Sequence, residues 1–101
     1  MARSATEVGA VWRHQTGDLS VNLLTFGAND GVAEHVNTEV DVLLVGSAGE
    51  GVVEVDGVAQ VLAVGHALVI PKGSRRAIQG IDHDFAYLSC HRRRGGLRPS
   101  R

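Results

Sequence analysis

The chain has 101 residues, a formal net charge of −1 at pH 7 and 44% hydrophobic residues. This is one domain around one core, too short for two, too apolar for a disordered polypeptide and without a run long enough to span a membrane. A single cysteine, Cys90, allows no internal disulfide, and no apolar run near the N-terminus suggests a secretory signal, so the expected location is the cytoplasm.

No window sustains the i, i+3, i+4 spacing of an amphipathic helix. Apolar residues come instead in short, Val- and Leu-rich runs broken by turn residues, a strand pattern. In chain order the expected strands are Val8–His14, Leu19–Phe26, Val32–His35, Val40–Val45, Gly51–Val55, Val58–Val64, Ala67–Ile70, Arg76–Gln79 and Phe85–His91. Asn29-Asp30-Gly31 tolerates positive φ. Asp56-Gly57, between two alternating runs, is the strongest hairpin signal, and Pro71-Lys72-Gly73 ends a strand in a turn. The fold class is all-β, a closed barrel or jelly roll, with an aliphatic core because Trp12, Phe26, Phe85 and Tyr87 are the only aromatics.

Residues 1–94 are read as the domain and 95–101 as a basic tail. Five of the ten basic residues are arginines in the last ten positions, so residues 1–91 hold five basic and eleven acidic side chains, a balance of −6. No aromatic residue is interleaved with these arginines for base stacking, so nucleic acid is not an expected partner.

Two stretches resemble the paired signature motifs of the cupin family. Gly27, His35, Glu39 and Gly46 fall at the spacing of the first, and Gly65, Pro71 and Gly73 at that of the second. The resemblance spans about residues 19–91 and implies a cupin-type β-barrel, or jelly roll. It says little about activity, because cupins include enzymes of several kinds, storage proteins and sugar-sensing domains.

In metal-binding cupins three histidines and a glutamate converge on a divalent ion. Carried over position by position, only His35 and Glu39 remain; Ala33 replaces the first histidine and Arg76 the third. Alanine offers no donor atom, and a guanidinium stays charged and repels a cation. A second register would place His35 first, Asn37 second and Asp41 as the acid, leaving Gly27 unmatched. No cofactor is therefore the expectation. The alternative is a divalent metal ion held by His35, Glu39 and Asp41, if alternation turns Asp41 inward.

Without metal, His35 and Glu39 are the candidate catalytic pair for isomerase-type acid–base chemistry. Arg76 is the candidate anchor for a small polar or anionic ligand, with Glu39 as its natural partner. Tyr87 and His91 share parity with Phe85 and Ser89 on the last strand and are candidate ligand contacts if that face looks inward. His14, His66 and His83 carry weaker signals, and Cys90 reads as an inert, buried thiol. The residues thus point to a small-molecule-binding or sensing domain, with a cupin enzyme as the alternative and a purely scaffolding barrel as a third possibility. A homodimer is expected, with the segment around Val11 and Trp12 as the candidate contact.

Overall fold

The structure, a computed structural model, describes residues 9–81 and 84–93. Nine strands follow one another: β1 (Gly9–Gln15), β2 (Leu19–Phe26), β3 (Gly31–Val36), β4 (Val42–Ala48), β5 (Glu50–Val55), β6 (Val58–Ala63), β7 (Ala67–Ile70), β8 (Arg75–Gly80) and β9 (Phe85–Arg92). They form two antiparallel sheets, one in the order β1-β2-β9-β4-β7 and the other in the order β3-β8-β5-β6. Among the described residues the ladders run within each sheet, and the two sheets face each other as a jelly roll. No helix of the described residues is long and apolar enough to cross a membrane.

Alternation along each strand builds the core. Leu44, Val53, Leu62, Ile70, Phe85 and Tyr87 are almost wholly buried, and Phe85 packs against Tyr87 with ring centroids 5.3 Å apart. Each such side chain contributes about 1.5–3 kcal/mol by leaving water. Two glycines let the chain pack this closely. A Cβ at Gly46 would meet the Ala63 carbonyl, where β4 of one sheet runs against β6 of the other, and a Cβ at Gly51 would meet the Phe85 ring.

The turns are chemically specific. Asp56 (φ 50°) and Gly57 (φ 86°) both take positive φ, the pattern of a two-residue hairpin with the hand that suits twisted strands. Asp56 also ties this hairpin to β8, its carboxylate accepting from the Arg75 N–H at 2.9 Å. Asn29 takes φ 68° before β3, and Gly73 takes φ 86° in the turn where the Ser74 N–H donates to the Pro71 carbonyl at 3.2 Å.

Strand β4 begins at Val42 rather than Val40. The Asn37 side chain accepts from the N–H groups of Glu39 (2.8 Å) and Val40 (3.4 Å), holding that segment in a local turn instead of a ladder.

Candidate functional site

Toward the His91 end of β9 the sheets leave a cavity of about 260 Å3 between them. Its apolar wall comes from Leu24, Val32, Val42, Leu44, Ile70 and Ile78. Polar groups reach it from five strands by the same alternation that builds the core. On β9, Phe85 closes the core while Tyr87, Ser89 and His91 follow on the same face; on β8, Arg76 precedes Ile78; on β2, Asn22 precedes Leu24. Arg13 of β1 and His35 of β3 complete the lining, and none of the described lining residues is acidic.

Arg76 is only 7% exposed, and its Nε donates to His35 Nε2 at 3.2 Å. The two residues are register partners across β3 and β8, past an irregularity in β3 between Val32 and His35. On the other side of the ring, His35 Nδ1 lies 2.9 Å from the Ala33 carbonyl oxygen. A carbonyl only accepts, so Nδ1 carries the proton and Nε2 offers the lone pair that the guanidinium needs. The two bonds together select the neutral Nδ1–H tautomer. The ring nitrogen that could bind a metal or take a proton is therefore already engaged. Acid–base work by His35 requires one of these two bonds to break.

Glu39 lies in an adjoining recess of about 360 Å3 that shares His35 and Arg76 with the cavity, and its backbone carbonyl accepts from Arg92 Nη2 at 3.3 Å. Asp41 is exposed between the inward-facing Val40 and Val42, and its carboxylate accepts from the Lys72 N–H at 2.8 Å. Among the described residues no group of three or more His, Cys, Asp or Glu side chains could hold a metal ion. Of the candidate ligands, then, His35 and Glu39 meet at one recess while Asp41 serves the Pro71–Ser74 turn.

Tyr87 and His91 both line the cavity. Burial raises the pKa of the Tyr87 phenol well above its ordinary value, and the nearby Arg76 charge offsets part of that rise. Burial thus favours the neutral hydroxyl, which can donate a hydrogen bond. His91 Nδ1 lies 2.8 Å from the Arg92 carbonyl, so Nδ1 is protonated and Nε2 is the ring's remaining polar atom.

Elsewhere, His14 stacks on Trp12 at 6.2 Å, and His66 Nδ1 accepts from the Ala63 N–H at 3.2 Å. Cys90 is partly buried, which raises its thiol pKa. His83 lies outside the described residues. Arg13, Asn22 and Ser89 are cavity residues that the sequence did not single out. Parity with Leu24 and Phe26 marks Asn22, and Arg13 follows as its cross-strand partner, with Nε donating to Asn22 Oδ1 at 2.9 Å.

No family profile matches the chain, and no curated protein matches it. Solved structures do. KdgF from a Halomonas species superposes with a TM-score of 0.76 at 21% identity, over 81% of this chain and 74% of that one. A cupin superfamily protein from Desulfitobacterium hafniense gives 0.74 at 22% identity, over 89% and 81% of the two chains. A cupin protein from Bacteroides fragilis gives 0.71 at 22%, over 95% and 88%. The chain has the cupin fold.

Proposed function

We propose that this cupin-fold protein binds a small anionic molecule, with Arg76 as its anchor and no metal ion required. The observation that carries this reading is the buried Arg76 guanidinium, held through Nε by a neutral histidine in a cavity with no acidic lining residue among those described. A carboxylate entering the cavity can meet this guanidinium with bidentate, charge-assisted hydrogen bonds. The Tyr87 hydroxyl and Ser89 stand on the same face to complete the shell around the anion. A cavity of about 260 Å3 lies below the usual range of roughly 300–1,000 Å3. It suits a molecule of a few carbon atoms, not a nucleotide or a polymer.

The test is a thermal-shift comparison on EDTA-treated protein, using small carboxylic acids and their primary amides at matched concentration. Acids are expected to raise the melting temperature and amides to leave it unchanged. Equal shifts from acids and amides, or shifts only after a divalent metal is added, would overturn the reading.

A second reading is isomerase-type acid–base chemistry by His35 and Glu39, favoured by their sharing one recess with Arg76. It requires Arg76 to release His35 Nε2 when substrate enters. It predicts that solvent deuterium enters the bound molecule and that Glu39→Gln abolishes the exchange.

A further inference from the structure

The cavity does not end at Arg76. Three of its lining residues, Arg13, Asn22 and His91, also line an outer recess of about 330 Å3 that adds Gln15, Ser20 and Arg93. From this continuity we infer that the site has two anionic subsites, an inner one at Arg76 and an outer one at Arg13 and Arg93, and that its ligand is a small molecule with an anionic group at each end. The inference rests on the anion-binding reading of the inner cavity and extends it to the class of ligand.

The outer recess is built, not incidental. Arg13 and Asn22 are register partners, as are Gln15 and Ser20, and each pair is hydrogen-bonded, by Arg13 Nε to Asn22 Oδ1 at 2.9 Å and Gln15 Nε2 to Ser20 Oγ at 3.2 Å. The bond to Asn22 uses Nε alone, so the terminal nitrogens of Arg13 are not needed for it. Arg93 is placed from the far side. Its N–H donates to the Asp18 carbonyl at 2.8 Å and its Nη1 to the Thr16 carbonyl at 3.2 Å. His91, with Nδ1 committed to the Arg92 carbonyl, lines both compartments.

Charge makes the arrangement specific. No described residue lining either compartment is acidic, although residues 1–91 carry six more acidic than basic side chains. Arg13 and Arg76 of that segment run against its balance, and Arg93 of the arginine-rich C-terminal run joins them along one continuous space. A monoanion contacts only the inner arginine, whereas a dianion of suitable length reaches arginines at both ends while its carbon chain lies along the aliphatic wall. The outer group is a carboxylate or a phosphonate-like oxyanion, since a guanidinium accepts both.

The experiment is a calorimetric comparison of butyrate, glutarate, adipate and phosphonopropionate on metal-free protein. It is repeated on Arg13→Gln and Arg93→Gln, both exposed positions where the fold is expected to persist. At least one dianion should bind about tenfold or more tighter than butyrate, the gain expected of one added charged pair. In each variant the ratio of dianion to monoanion affinity should fall toward one, and phosphonopropionate against glutarate tells which oxyanion the outer subsite prefers. Dianions that bind no tighter than butyrate, or an advantage that survives both substitutions, would overturn the second subsite and leave the inner one standing. If no anion binds at all, both readings fail together.

Discussion

The guanidinium of Arg76 and the imidazole of His35 meet across β3 and β8, Nε donating to Nε2 at 3.2 Å. This pair takes up the atom through which His35 would bind a metal, and it holds the guanidinium at the cavity wall. It is the reason to read the site as an anion receptor.

A residue kept for binding need not stabilise the fold. Arg76→Met retains most of the volume and removes a buried charge together with its bond to His35. The variant is expected to remain folded and to have lost its affinity for small carboxylates. Urea unfolding and calorimetry on the same sample check both halves. A large loss of stability would mean that Arg76 is chiefly structural.

Tyr87 makes alkaline stability predictable in sign. Its pKa is raised in the folded protein by burial, so the unfolded chain ionises first, near the ordinary value of about 10. The contribution is intact below that pH and is lost as pH climbs above it. Cys90 acts in the same direction from a lower ordinary value. Because Tyr87 is the only tyrosine, phenolate absorbance reports it directly. The folded protein should show no phenolate signal at about pH 10, and Tyr87→Phe should flatten the alkaline loss of stability. A phenolate signal at the ordinary pKa in folded protein would contradict this.

Two glycine substitutions separate backbone conformation from packing. Gly57→Val places a branched side chain at φ 86° in the hairpin and should cost about 1–2 kcal/mol, although no atom lies within 4 Å of the added Cβ. Gly46→Ala introduces only a methyl group but drives it into the Ala63 carbonyl, so it should cost about 1–3 kcal/mol. Denaturant midpoints measure both, and an unchanged midpoint for either refutes the corresponding account.

Trp12 stands half-exposed on β1, an edge strand, stacked on His14. That is where self-association through the N-terminal run is expected, and Trp12→Ala should shift a dimer toward monomer in light scattering. A parent protein that scatters as a 10.7 kDa monomer at micromolar concentration contradicts the expectation.

Much of this architecture was legible in the sequence because it is set by local chemistry. The bounds of β2 and β7 follow from their apolar runs, and the Asp56-Gly57 hairpin follows from residues that tolerate positive φ. What was not legible depends on long-range pairing. Charge complementarity points to Glu39 as a partner for Arg76, whereas the His35 ring at the Arg76 Nε depends on the irregular β3–β8 register, which spacing along the chain does not reveal. Alternation near a strand end does not fix the direction of Asp41, and the turn at Lys72 shows where its carboxylate goes. Gly46 matches a family signature in the sequence, yet its physical reason, the carbonyl of Ala63 from the opposite sheet, needs the packed structure.

The most direct test of the central claim is a nitrogen-15 NMR titration of metal-free protein with butyrate, following the Arg76 Nε–H and the His35 ring. The Arg76 Nε and His35 Nε2 resonances are expected to move together and saturate without any divalent ion, with His35 starting as the Nδ1–H tautomer. Resonances that stay still, or that move only when a divalent metal is supplied, would contradict an arginine-anchored anion site.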